Sequence, residues 1–420
     1  MKRIITILLI TSLLFLACVL CLASCSSVYY GPYIYSVENR EVTIEGYFGL
    51  DPDIVIPESV YGMPVVAIGD TASFGLVRSV TIPDSVVKIG GLAFDGSPNL
   101  ERVTLGNGIR EIDFSAFDDC PKLEYNEYGN GYYLGNKENP YIALVSATSK
   151  SIEEISIHPD TVVICGSAMQ DCDYLTEIVI PEGVLSLSSF SLYHCSYLER
   201  IYLPSTLEYI DSLALNDCNS LLEFVVAEEN PHFKSIDGNL FSGDGKHLIK
   251  YTVGKDTESY RIPDGTEYIY SYAFQNAENL TEVAFPDSLT DMGGKVFIDC
   301  ENLQRISFGS SLKIIGDEAF TSTAITEITI PDSVEEIEYN AFSYCTSLER
   351  VVIGGGVNYI DSGVFSGCDA LSEIVFCDPV GWKITRPYQI LADEIDVSNS
   401  ALNAQRFTNE YRERYWLKDE

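Results

Sequence analysis

Apolar and polar residues recur along this chain in a fixed order, with a period of roughly 23 residues. One pass reads Leu348-x-x-Val351-x-Ile353, then Val357-x-x-Ile360, then Val364-Phe365, then Cys368. A large apolar residue before a turn returns at Phe74, Phe94, Phe117, Met169, Leu192, Leu215, Phe274, Phe297, Phe320, Phe342 and Phe365. A two-apolar strand slot returns at Val80-Ile82, Val103-Leu105, Ile155-Ile157, Ile178-Ile180, Ile201-Leu203, Phe224-Val226, Val283-Phe285, Ile306-Phe308, Ile328-Ile330, Val351-Ile353 and Ile374-Phe376. Proline follows several of these slots, as at Pro83, Pro181, Pro204, Pro286 and Pro331, and stops the strand by removing a ladder donor. No single unit can bury its own apolar side, so the pattern predicts a leucine-rich-repeat-type solenoid of stacked coils. Its strand slots form a parallel β-sheet on the concave side, with short turns and irregular segments on the convex side.

Two gaps interrupt the period. Residues 124–150 contain Asn130-Gly131 between apolar runs, a hairpin signal; residues 227–259 contain Asp237-Gly238 and Gly243-Asp244-Gly245 and read as a small meander. Insertions of this kind project from one face of a solenoid and are common places to meet a partner. Tyr125, Tyr128, Tyr132, Tyr133, Phe233 and Phe241 in the insertions, and Tyr202 on a strand, are the candidate binding residues. Residues 29 to 75 alternate like an edge hairpin and read as a cap. Past Phe376 the repeat stops, and Leu402, Phe407, Tyr411 and Tyr415 at helical spacing behind Ser398-Asn399 predict a closing helix.

The N-terminus sets the compartment. Met1-Lys2-Arg3 and the apolar run Ile4 to Leu22 have the form of a bacterial export signal, although such a run is also long enough to serve as an uncleaved anchor. Leu22-Ala23-Ser24-Cys25 resembles the lipobox of bacterial lipoproteins, which implies that Cys25 carries lipid and tethers the chain to a membrane by that lipid only. The division expected is a signal peptide at 1–24, a short tether at 25–30, the solenoid at 31–376 and a C-terminal cap at 377–420.

Formal net charge is −36, which repels phosphate backbones and excludes nucleic acid as a partner. Of the 12 cysteines, Cys120, Cys172, Cys195, Cys218, Cys300, Cys345 and Cys368 share one repeat column, which Ser97, Ala277 and Thr323 fill in other copies. A slot that takes Cys, Ser, Ala or Thr wants a small buried side chain, so free buried thiols are expected there. Cys165 and Cys377 lie off the column and are candidates for exposure.

Candidate chemistry is sparse. His158, His194, His232 and His247 form no metal spacing, and Ser85-x-x-Lys88 and Ser310-x-x-Lys313 fall in ordinary repeat slots. No metal, cofactor or catalytic residue is assigned. The outward position before each strand nearly alternates in sign through Glu177, Arg200, Glu223, Glu282, Arg305, Glu327, Arg350 and Glu373. Neighbouring strands lie about 4.8 Å apart, so these side chains are expected to pair along the stack as a structural charge ladder.

The order Ile-Pro-Asp-Ser-Val-x-x-Ile-x-x-x-Ala-Phe-x-x-Cys-x-x-Leu, intact at Ile330 to Leu348, resembles the BspA-like leucine-rich-repeat proteins of bacterial surfaces. Asp237-Gly-Asn-Leu-Phe241 and the Tyr- and Trp-rich tail look like features of the same family. The resemblance implies a non-catalytic surface protein that adheres to host or bacterial proteins or glycans. Two other readings stay open: a structural envelope component without a specific ligand, and a cell-surface hydrolase.

Overall fold

The computed structural model describes residues 28–385 and 393–418. The expected signal peptide, most of the expected tether and Cys25 lie outside the described residues. Two compact units divide the chain: 28–146 with Asp160–Ala168 and Ser186–Ser191, and Ala147–Pro159 with Met169–Leu185 and everything from Leu192 on.

In the first unit the chain enters as an antiparallel meander, Val28–Tyr30, Tyr33–Glu38 and Glu41–Tyr47. Glu41–Tyr47 then runs parallel to Met63–Ser73, which begins the coils. From there two parallel ladders rise together. One joins Asp53–Val55, Ser79–Thr81 and Arg102–Thr104; the other joins Met63–Ser73, Lys88–Ile89 and Glu111–Ile112. The first insertion is an antiparallel hairpin of Asn126–Tyr128 and Gly131–Leu134. Beyond it Ala143 and Leu144 pair in parallel with Val163 and Ile164, and these with Ser186 and Leu187.

The second unit repeats the plan at greater length. Its first ladder comprises Glu177–Val179, Arg200–Leu203 and Glu223–Val226, then Ser259–Arg261, Glu282–Ala284 and Arg305–Ser307, then Glu327–Ile330, Arg350–Ile353 and Glu373–Phe376. Its second ladder comprises His247–Lys250, Tyr268–Ile269 and Asp291–Met292, then Ile314–Ile315, Glu336–Ile337 and Tyr359–Ile360. The second insertion, Phe233–Ile236, Asn239–Ser242 and His247–Lys250, is an antiparallel meander whose last strand feeds the second ladder.

Between the ladders each coil is held by a third track of backbone bonds. Tyr272, Phe274 and Asn276 donate N–H to the carbonyls of Gly294, Val296 and Ile298 at 3.3, 2.9 and 3.2 Å. Lys295, Phe297 and Asp299 repeat this toward Asp317, Ala319 and Thr321. The residues flanking each phenylalanine, such as Tyr272 and Asn276 (φ 61° and 60°) or Lys295 and Asp299 (58° and 59°), sit in the left-handed region. The C-terminal flank of the phenylalanine uses Gly, Asp or Asn in most coils, residues that accept this conformation at least cost.

Phenylalanines stack face to face along the core. Ring centroids of Phe74, Phe94 and Phe117 are 4.5 and 5.4 Å apart in the first unit. Those of Phe274, Phe297, Phe320, Phe342 and Phe365 are 4.6, 5.3, 5.1 and 5.7 Å apart in the second. All nine cysteines among the described residues are free. The column cysteines are more than small fillers: Cys120, Cys195, Cys218, Cys300, Cys345 and Cys368 donate S–H to the carbonyls of Phe94, Met169, Leu192, Phe274, Phe320 and Phe342, at 3.0 to 3.1 Å.

Three sequence expectations are corrected, and a fourth, the closing helix, is borne out at a shorter length. The segment placed among turns carries the second ladder, whose strands of two residues are too short for their alternation to register as a period. Ile155–Ile157 is not a strand, although Ile157 is buried: with residues 124–150 inserted before it, the preceding strand's Thr104 bridges Gly135 instead. Cys165 is buried, its amide donating to Leu144, while Cys377 is exposed. The closing helix is short, an α-helix at Ser400–Gln405 capped by Asn399 and a π-helical turn at Arg406–Glu410. The chain then turns into a strand, Tyr415–Lys418, antiparallel to both Tyr359–Ile360 and Trp382–Thr385. Leu402 faces outward, whereas Trp416 is fully buried and stacked 4.0 Å from Phe407. Burying an indole and pairing the last open ladder outweigh continuing the helix.

Phe320 lies between two stacked neighbours, so Phe320→Ala is expected to cost about 3 to 5 kcal/mol, read as a lower urea midpoint. Gly96 sits at φ 62°, a left-handed conformation that L side chains rarely adopt, so Gly96→Ala is strained by its own backbone although the space around it is open, and is expected to cost about 1 kcal/mol by the same measurement.

Candidate binding surfaces

The outward positions of the first ladder turn their charges on one another. Arg200 lies 3.7 Å from Glu223, Arg305 3.1 Å from Glu282 and Arg350 2.7 Å from Glu373, each pair in register on adjacent strands. Glu177 stands in register with Arg200, and Glu327 with Arg350. In the first unit Asp53 pairs with Arg78, the residue before its register partner Ser79, and that guanidinium, aided by Ser79, holds the Asp53 carboxyl down at about 2. Each exposed pair contributes only about 0.2 to 1 kcal/mol. Tyr202 stands half-buried in the companion column, between Val179 and Val225.

The insertion aromatics divide. Tyr133, Phe233 and Phe241 are buried and belong to the core, which corrects their selection as contact residues: in each hairpin, alternation turns one side of the strand inward. Tyr125 and Tyr132 are half-buried with rings 5.5 Å apart, and Tyr128, 41% exposed, meets Tyr141 at 6.0 Å. Burial pushes the Tyr125 phenol well above its ordinary range.

A second surface was not foreseen. On the outward side of the second ladder, His247, Tyr268 and Asp291 stand in register, and the rings of His247, Tyr268 and Tyr270 form a closed triangle of 5.9, 6.0 and 5.3 Å. Further along the second unit, Glu336 pairs in register with Tyr359, whose hydroxyl donates to Asp361 at 3.2 Å. Carboxylates around this face are pushed up, chiefly by burial: Asp291, then Asp317, where Glu318 adds repulsion, and Glu338, where Asp317 adds it. The Asp317 amide donates to the Glu338 carboxylate at 2.9 Å. The signal was in the sequence, since Tyr209, Tyr268 and Tyr359 each stand just before the second isoleucine of their coil.

A cleft of 540 Å³ in the first unit is lined by Pro57, Glu58, Pro83, Asn136 and Lys137, among others, and is closed where the Asn136 amide donates to Leu105 and Asn107 at 3.0 and 2.9 Å. Among the described residues no three His, Cys, Asp or Glu side chains gather as metal ligands. His194 contacts Asp171 at 2.9 Å, while the neighbouring Cys195 thiol is buried, pushed up by that burial, and bonded to Met169. Lys88 and Lys313 contact Glu111 and Glu335, and the Ser85 hydroxyl donates to the Glu58 carbonyl. No described helix is long and apolar enough to cross a membrane.

The BspA type leucine rich repeat region matches this chain in six copies, over residues 54–135, 146–261 and 267–381. Among solved structures the chain is similar to a leucine rich cell surface protein from Faecalibacterium prausnitzii, at 26% identity over 84% of this chain and 96% of that one, with a TM-score of 0.48. It is similar to the pneumococcal vaccine antigen PcpA at 22% identity over 84% and 87% of the two chains, TM-score 0.49. A leucine-rich repeat protein from Eubacterium ventriosum matches at 17% identity over 82% and 83%, TM-score 0.47. No curated protein matches the chain.

A carboxyl raised by burial weakens the fold when ionised, and that penalty fades as pH falls through its folded pKa toward the ordinary 4.5 of a glutamate. Glu338→Gln keeps an acceptor for the Asp317 amide and removes the charge. It is expected to raise the urea midpoint near pH 7, with the gain disappearing below about pH 4.5, where the native carboxyl is already neutral.

Proposed function

This chain belongs to the BspA-type leucine-rich-repeat family, and on that premise we propose that it is a lipid-anchored, non-catalytic binding protein of the bacterial cell surface. Its partners are host or bacterial surface proteins or glycans, held on the outward side of the second ladder. The observation that carries this reading is the contiguous ring triangle of His247, Tyr268 and Tyr270 beside Asp291. Tyrosine supplies contact area with a polar tip, which suits both sugar faces and protein surfaces. The first ladder suits the role less well, since several of its exposed charges already have partners. Anchoring through Cys25 and export by the 1–24 leader rest on the lipobox-like Leu22-Ala23-Ser24-Cys25. Tyr125, Tyr128 and Tyr132 form a secondary contact patch.

The test is retention of the purified chain on intact host and bacterial cells and on immobilised glycans. Tyr268→Ala with Tyr270→Ala is expected to lower retention about tenfold or more while leaving the unfolding free energy from urea titration within about 1 kcal/mol of the parent. Undiminished retention by this double variant would move the site elsewhere.

A further inference from the structure

The second insertion buries a lysine where the repeat uses a small residue. Tyr251 occupies the place of the core phenylalanine, its ring 4.8 Å from Phe274 and its amide donating to the Ala273 carbonyl. Lys250 therefore stands where other coils carry Ala93, Ala116, Ala168, Ala214, Ala273, Ala319 and Ala341. A methyl group satisfies the packing there, whereas a buried ammonium is costly. Lys250 is only 6% exposed and makes no ion pair with any carboxylate among the described residues. Its Nζ donates to the Asn216 side-chain carbonyl at 3.1 Å and to the Tyr272 backbone carbonyl at 2.9 Å.

Asn216 is itself buried, and its backbone is fixed between coils: its carbonyl accepts from His194 at 2.9 Å. The next residue, Asp217, is locked in the left-handed region at φ 60°, its carboxylate accepting from the Gln275 and Asn276 amides at 3.2 and 2.8 Å. An amine and a carboxamide are thus held in contact, away from water, with a carboxylate beside the amide-bearing residue. Burial brings the Lys250 amine down to about 8, so a sizeable fraction is neutral and nucleophilic near physiological pH.

We propose that Lys250 and Asn216 join in an intramolecular isopeptide bond that ties the second insertion to the coil preceding it. The Nζ lone pair attacks Cγ of Asn216, forming the C–N bond as the carbonyl π pair moves onto Oδ1. Collapse restores the carbonyl and breaks Cγ–Nδ2, and the leaving nitrogen departs as ammonia carrying a proton lost by Nζ. One amide replaces another, so no oxidant, reductant or cofactor is consumed. Preorganised contact between the reacting groups supplies the rate. Asp217 is the carboxylate whose charge acts on Lys250.

Mass spectrometry of the full chain tests this. The expected result is an intact mass lower than the sequence requires by one ammonia, and a digest in which trypsin leaves Lys250 uncut and a branched peptide joins the segment containing Asn216 to that containing Lys250. Lys250→Met and Asn216→Ala are each expected to restore unlinked peptides. Full mass with two linear peptides overturns the proposal. So does an ammonia deficit that leaves the peptides separate, which would mark a succinimide at Asn216-Asp217.

Discussion

Every coil in this protein leaves a backbone face and an apolar face that only the adjacent coil can satisfy. The amide of Phe297 donates to Ala319 of the next coil while its ring stacks on Phe320, and the thiol of Cys300 reaches back to Phe274. Hydrogen bond, ring contact and thiol all join neighbours, so stability within a unit grows by nearest-neighbour terms. The same dependence makes an open end expensive, because it would expose unpaired strand edges together with stacked rings. Val28–Tyr30, Tyr33–Glu38 and Glu41–Tyr47 close one end of the first unit with antiparallel strands. In the second unit Tyr415–Lys418 pairs with Tyr359–Ile360, the last strand of the second ladder, and sets Trp416 over the core. A longer helix would have left the outer edge of Tyr359–Ile360, opposite Glu336–Ile337, unpaired.

Charge follows the same geometry. Asp and Glu number 62 against 26 Lys and Arg, and on the first ladder Glu223, Glu282 and Glu373 each meet an arginine one strand away. In-register pairing also sets a preference: a slip by one coil would put Glu against Glu or Arg against Arg. The acids around the second ladder have no such arginine column. They sit among tyrosines and backbone that exclude water, so burial raises Asp291, Asp317 and Glu338 instead.

The period made the phenylalanine column, the first ladder and both hairpins legible, because a residue type repeated at one spacing in many coils cannot arise from local propensity alone. Legibility failed where an element is shorter than its own signature, as in Lys88–Ile89 or Glu336–Ile337. Leu402 and Phe407 do enter the closing helix, but legibility failed at Tyr411 and Tyr415, where helical spacing coincides with a turn that swings Trp416 inward. For Tyr133, Phe233 and Phe241, an aromatic residue in an insertion reads as a contact residue until the pairing register shows which side of the strand it takes. The lysine at 250 was readable in principle. Aligning Tyr251 with the phenylalanine column puts Lys250 in the alanine column, but the insertion hid that alignment.

That one strand explains why both unusual features of the second unit occur at the insertion. Along His247–Lys250 side chains alternate, with Leu248 and Lys250 inward and His247 and Ile249 toward the surface. Once Leu248 is packed as the counterpart of Ile269, parity alone sends His247 out beside Tyr268 and Lys250 in beside Asn216. A shift of one residue would exchange them, removing His247 from the aromatic row and exposing the lysine. What fixes that parity is the meander behind it: Leu240 aligns with Lys250, and Phe241, fully buried, aligns with Leu248. The apolar core of an inserted hairpin therefore determines which of its polar side chains meets a neighbour on the surface and which is enclosed.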